Sequence, residues 1–138
     1  HIAIYKQRPD INCIVHAHPL TATVLAADKN LIDVNYNGET RALIGEPAFA
    51  PYALMGTEAL AENAAKAAKN SNLILLQHHG IIALGQSLLQ AFDRMELIEM
   101  AAKATVIKNQ LNIEARLSQQ EVLQIDQLGY SRILKSPK

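Results

Sequence analysis

Two histidines spaced two residues apart, His16 and His18, close an apolar run that reads Ile14-Val15-His16-Ala17-His18-Pro19. About sixty residues later an adjacent pair, His78-His79, closes a second apolar run. Side chains at i and i+2 of a strand share a face, so His16 and His18 can aim their rings at one point. Two neutral imidazoles in apolar surroundings need partners for both ring nitrogens, and a divalent ion supplies one. Zinc accepts such nitrogens at about 2.0–2.1 Å. A third imidazole from the end of another strand completes a three-histidine set with one position open, the arrangement of catalytic rather than structural zinc. His78 and His79, as neighbours, point to opposite sides of an extended backbone, so one of them can join the cluster, and their order alone does not say which. Gly80 follows and allows the backbone a sharp turn.

These rings meet only if strands and helices bring their carriers together. Residues 1–8 read as helix stopped at Pro9-Asp10, since proline disfavours helix at the residue before it. Ile11 to His16 is a strand, and Pro19 suits the first turn of a short helix over 19–28. Cys13, three residues before His16, faces away from the histidine pair as a small buried residue. Ile32 to Tyr36 alternates as a short strand ended by a turn at Asn37-Gly38, and Ala42-Leu43-Ile44 is a further strand. Pro47 and Pro51 mark an extended loop. Thr57 caps a helix to about Lys69 with Leu60, Ala64 and Ala68 on one face. Asn72 to Gln77 is a strand apolar enough to be covered on both sides. Ser87-Leu88-Leu89-Gln90 and Ser118-Gln119-Gln120-Glu121 are capping boxes. The first opens a helix to about Gln110 carrying Leu88, Ala91, Met95, Ile98 and Ala102 at helical spacing; the second opens a last helix that Gly129 terminates. The expected fold class is α/β, a central β-sheet layered with helices on both faces, forming a single domain over 1–138.

Composition narrows the function classes. The chain has 138 residues, 49% of them hydrophobic, enough for one core and too few for two ordinary domains. Thirteen basic residues balance 13 acidic ones; no basic patch of nucleic-acid type stands out, and the longest apolar runs are too short to span a bilayer. The single cysteine excludes an intramolecular disulfide and fits a reducing cytoplasm. The opening, His1-Ile2-Ala3-Ile4-Tyr5-Lys6, has no initiator methionine and no capping residue, and reads as mid-helix. The chain is therefore expected to be the C-terminal portion of a longer polypeptide.

Taken together, Tyr5 with Arg8-Pro9-Asp10, His16-x-His18, Ala50-Pro51-Tyr52-Ala53 with Gly56-Thr57, Leu75-Leu76-Gln77-His78-His79-Gly80, the helix from Ala91 to Ala101 and the Gly129-Tyr130 tail resemble the class II aldolase/adducin family over nearly the whole chain. The resemblance implies that His16, His18 and His79 bind one zinc ion per subunit. It implies retro-aldol cleavage of a ketose 1-phosphate, of L-fuculose 1-phosphate type, to dihydroxyacetone phosphate and an aldehyde through a metal-stabilised enediolate. It further implies a homotetramer with sites between subunits. The family's proton-shuttling glutamate would precede His1 by a few residues, as would the phosphate-cradling loops. Asp10, in a turn, and Glu46, in a loop, read as solvated and do not replace it. By the same resemblance Tyr36 reaches a neighbouring subunit's site and Tyr130 acts as acid on the aldehyde side. Met55 stands where the family's aldolases carry an aromatic residue of the aldehyde pocket.

Three rival readings remain. An L-ribulose-5-phosphate 4-epimerase uses the same zinc and enediolate and carries an acidic residue near Tyr36, for which Asp33 leaves an opening. A methylthioribulose-1-phosphate dehydratase suits the apolar Met55. An adducin-like interaction module keeps the fold without the metal, a loss that normally shows as missing histidines.

Overall fold

The structure, a computed structural model, describes residues 1–131. Its elements in order are α1 (Ile2–Gln7), β1 (Cys13–Ala17), α2 (Leu20–Leu25), α3 (Gly38–Ile44), β2 (Ala48–Ala50), α4 (Glu58–Ala68), β3 (Leu73–Leu76), β4 (Gly80–Gly85), α5 (Leu88–Gln110) and α6 (Gln119–Leu128). The strands form one sheet in the order β1-β4-β3-β2, with β4 antiparallel to both neighbours and β2 parallel to β3. Strand periodicity divides the apolar residues between two layers. Leu73, Leu75, Ile81 and Ala83 face Ala22 and Ala26 at α2 and Met95, Ile98 and Ala102 of α5. Ile74, Leu76, Ile82 and Leu84 face Ile4 of α1 and Ala64, Ala65 and Ala68 of α4. The sheet is thus layered with helices on both faces, as expected.

Local chemistry accounts for most element ends. Thr57 Oγ1 accepts from the Leu60 amide at 3.4 Å to open α4. Ser118 forms the full reciprocal box with Glu121, and Gly129 ends α6 in the left-handed region at φ 79°. Ser87 Oγ accepts from the Gln90 amide at 3.2 Å, but the Gln90 carboxamide turns to the Gln86 amide instead, so this box is half formed. Leu88 beside it is exposed rather than packed.

Three expectations change. Ile32 to Tyr36 is no strand: Ile32 and Val34 are buried, but the backbone is held by side chains instead of a ladder. The Asp33 amide donates to Thr105 Oγ1 of α5 at 2.9 Å and the Asn35 amide to Asp33 Oδ1 at 3.0 Å. Ala42 to Ile44 lies in α3, because Asn37 caps a helix (Thr40 amide to Asn37 Oδ1, 2.8 Å) where a turn was expected, and Thr40, Arg41 and Ile44 bury at helical spacing. Most consequential for the site, Gly80 to Gly85 forms a central strand that local signals do not mark off from the run before it.

Asp10 also differs from expectation. It is half-buried against Arg8, which donates Nε and Nη2 to its two oxygens at 2.7 Å each. The same guanidinium reaches the Ala68 carbonyl at 2.7 Å and Asn72 Oδ1 at 2.6 Å, tying the end of α1 to the end of α4 and the start of β3. Hydrogen bonds from Arg8 hold the Asp10 carboxyl below its ordinary value.

Candidate metal centre

His16 is the fourth residue of β1, opposite Ile82 of β4, and His18 lies just past the strand end. Both fall in the alternation of Ile14, which packs with the α1/α4 layer. Their Nε2 atoms stand 3.1 Å apart. The ring of His79 completes a triangle, with centroids 5.0 Å from His16 and 5.2 Å from His18, and 5.1 Å between His16 and His18. One ligating nitrogen from each ring lies within 4.8 Å of the others, a group that could hold a metal ion. Among the described residues no carboxylate or thiol joins it.

The choice between the adjacent histidines is made by backbone rather than by strand alternation. The hairpin from β3 to β4 consists of Gln77, His78 and His79 only. His78 takes a left-handed conformation, φ 54°, which is uncommon for a residue with a side chain, although histidine tolerates it better than most. That torsion turns the exposed His78 toward Tyr52, 6.4 Å between centroids, and His79 toward the cluster.

Gly80 matters by close approach rather than by a special torsion. A Cβ there would fall 2.2 Å from His18 Cδ2 and 2.8 Å from the Ala17 carbonyl oxygen. Only glycine leaves room for the His18 ring against β4. On the far side of His16, Nδ1 lies 3.3 Å from His1 Nε2, an outer contact that fixes how the His16 ring turns.

Burial favours the neutral form of two of the three rings. Burial, reinforced by the nearby His79 and His18 rings, lowers the His16 pKa to about 4. Burial, then His18, lowers that of His79. Neutral imidazole is the form that ligates a metal. His79 Nδ1 is buried with no hydrogen-bond partner among the described residues, and a buried nitrogen so orphaned is costly unless something binds it. Two nitrogens bound to one tetrahedral zinc stand roughly 3.3 Å apart, close to the His16–His18 separation. The residues therefore fit a divalent ion.

Beside the rings lies a cavity of about 400 Å³, walled by Gly56, Thr57, Leu60, Ala64, Leu76 and Ile82. Met55, next to Gly56, is exposed. Two further expected residues lie elsewhere. Tyr36 packs against the α2/α5 layer, and its hydroxyl accepts from Thr40 Oγ1 at 3.1 Å. Tyr130 borders a separate cavity with Gly85, Asp10 and Arg94. Gly85 is the opposite end of β4 from the histidines, roughly 17 Å away at 3.3 Å per residue. The carboxylates weighed above are engaged as well: Asp33 with Lys108 at 2.6 Å and Arg116 at 3.1 Å, Glu46 with Arg41 at 2.7 Å. The residues missed at the site are His1 and Gln77. Their only signals were nearness, Gln77 preceding the histidine pair and His1 opening the helix before Arg8.

The fold and this cluster define an α/β layer with a three-imidazole site of metal-binding type. The family model for the class II aldolase and adducin N-terminal domain matches residues 1–106, and the chain belongs to that family. It is 33% identical over 107 residues to an L-fuculose phosphate aldolase of Methanocaldococcus jannaschii, covering 78% of this chain and 58% of that protein. It is 36% identical over 104 residues to the Escherichia coli L-fuculose phosphate aldolase, covering 75% of this chain and 48% of that one. A solved structure of L-fuculose 1-phosphate aldolase superposes with a TM-score of 0.80 at 36% identity, over 94% of this chain and 60% of the other. The chain thus spans about half to three fifths of the length of the relatives it matches. Among the described residues no helix is long and apolar enough to cross a membrane.

Proposed function

We propose that this chain carries the metal centre of a zinc-dependent class II aldolase, which cleaves a ketose 1-phosphate of L-fuculose 1-phosphate type to dihydroxyacetone phosphate and an aldehyde. His16, His18 and His79 hold one divalent ion, zinc. When bound, that ion supplies Lewis-acid stabilisation of the charge that develops on substrate oxygen. The observation that carries the reading is the convergence of three imidazoles, one with an orphaned buried nitrogen.

The chain's own residues prepare that chemistry. Three uncharged ligands leave the positive charge of the site undiminished for a developing oxyanion. The apolar wall from Leu60, Ala64, Leu76 and Ile82 keeps water from one side, where charges interact more strongly than in bulk solvent. His1 holds the His16 ring, and Gly80 admits that of His18. Proton transfer at carbon is assigned to a carboxylate outside this chain, because Asp10, Asp33 and Glu46 are each held by arginine or lysine. Tyr36 and Tyr130 are assigned their roles across subunits of a cytoplasmic homotetramer, since neither lies at the histidines of its own chain. Asp33, tied to Lys108 and Arg116, offers nothing to the epimerase reading.

Elemental analysis of the purified chain, followed by assay of dihydroxyacetone phosphate release from L-fuculose 1-phosphate with L-ribulose 5-phosphate in parallel, tests the reading. One equivalent of metal is expected, with aldol cleavage once the part of the relatives' length that this chain does not span is supplied, fused or as a separate chain. Robust cleavage by residues 1–138 alone contradicts the assignment of the carboxylate outside the chain. Epimerised pentulose without cleavage transfers the reading to the epimerase.

A further inference from the structure

We propose that Gln77 is a positioning residue of the metal centre, its carboxamide clamping the turn that carries His79. The inference rests on the reading of the three histidines as metal ligands. Among the described residues nothing hydrogen-bonds the His79 ring, in contrast to His16, which touches His1. The direction of the third ligand therefore depends on its backbone. That backbone is a three-residue turn containing the left-handed His78, a conformation that persists where surrounding contacts determine it.

Gln77 provides those contacts. Its Nε2 donates to the Ala27 carbonyl at 3.1 Å, and its Oε1 accepts from the Tyr52 amide at 3.0 Å. Its own amide donates to the Ala50 carbonyl at 3.0 Å, continuing the β2–β3 pairing. The Ala27 end of this clamp is fixed in turn. α2 begins two residues past His18, and its Ala22 and Thr21 amides donate to the Glu99 carboxylate of α5 at 2.8 and 3.3 Å. One carboxamide thus ties the turn bearing His79 to the segment that leaves His16 and His18, so that all three rings are referred to the same element. Outer-shell partners that orient metal ligands typically contribute 10- to 100-fold in metal affinity. Here the orienting group acts on the backbone of the ligand-bearing turn, because the ring has no such partner.

The test compares Gln77→Ala and Gln77→Glu with the parent chain by cobalt(II) binding. It reads affinity by chelator competition, ligand geometry by the visible absorption of bound cobalt, and the unfolding midpoint of the metal-free protein. Gln77→Ala is expected to bind 10- to 100-fold more weakly with an altered cobalt spectrum. Gln77→Glu keeps the acceptor for Tyr52, loses the donor to Ala27, and is expected to fall between. A purely structural glutamine would lower the unfolding midpoint and leave affinity and spectrum unchanged; that result overturns the proposal. Should the alanine variant fail to fold, the near-isosteric Gln77→Glu decides alone, and parental affinity there overturns it too. A parent chain that takes up no cobalt overturns the metal reading and this one with it. A binding parent with an unchanged variant overturns the Gln77 assignment alone.

Discussion

At the residue scale, His78 and His79 carry the same ring and differ by one backbone torsion. The left-handed φ of His78 sends one imidazole to solvent and the other to the cluster. His79→Ala is expected to abolish stoichiometric metal uptake, whereas His78→Ala leaves it largely intact; elemental analysis after gel filtration distinguishes them, and the reverse order refutes the ligand assignment. A second prediction concerns acid. The His16 pKa is lowered from 6.5 to about 4, so between these values the unfolded chain binds a proton there that the folded chain does not. By linkage, folded stability falls as pH drops through that window and is restored as pH rises. Metal binding requires the same neutral ring and runs in the same direction. Metal retained after buffer exchange is expected to be full at pH 7 and to be lost as pH falls toward 4. Undiminished occupancy at pH 4 counts against a site made of histidines alone.

At the element scale, the edge strand β1 and the central strand β4 meet where a ring packs on a glycine. Gly80→Ala places a Cβ 2.2 Å from His18 Cδ2, so the ring or the strand must shift. A loss of about 1–3 kcal/mol is expected from such overpacking, read from urea unfolding, together with weakened metal uptake because His18 is displaced. An unchanged affinity in a folded variant shows that the ring has another place to go. The elements easiest to read were those that carry their own local signals. Thr57 and Ser118 caps and the Gly129 stop mark α4 and α6 without reference to anything distant. The strand at Gly80 to Gly85 carries no such mark. Its apolar residues follow the histidine pair directly and bury on both faces, so only pairing with β1 and β3 reveals it.

At the scale of the whole molecule, the α1/α4 layer is tied to the sheet through a buried guanidinium. Arg8 links α1, Asp10, the end of α4 and Asn72, and His1 at the start of α1 reaches the His16 ring. Arg8→Ala removes one partner of a buried pair and leaves Asp10 uncompensated, which costs about 3–5 kcal/mol. Its urea midpoint is expected to fall accordingly, with Asp10→Asn losing less because the guanidinium keeps its bonds to the Ala68 and Ser71 carbonyls and to Asn72 Oδ1. Equal losses from the two changes show that the ion pair, rather than the guanidinium's bonds to Ala68 and Asn72, bears the effect.

The amino-acid sequence by itself determined the α/β class, the helices opened by Thr57, Ser87 and Ser118, and the family. Each of these rests on periodicity, caps or motifs that are complete within a few consecutive residues. It also brought His16 and His18 to one face, because alternation along a strand is local. What it left open was set by packing over long separations. The choice of His79 depends on the torsion of a turn that Gln77 holds from α2 and the β2 exit. Asp10 reads as a solvated turn residue until Arg8 folds back over it toward residues some sixty positions away. Residues 32–36 alternate like a strand, yet α5 satisfies their backbone with Thr105, so no ladder forms. In each case the deciding partner is remote in sequence, and local pattern carries no trace of contacts that exist only after the chain has closed on itself.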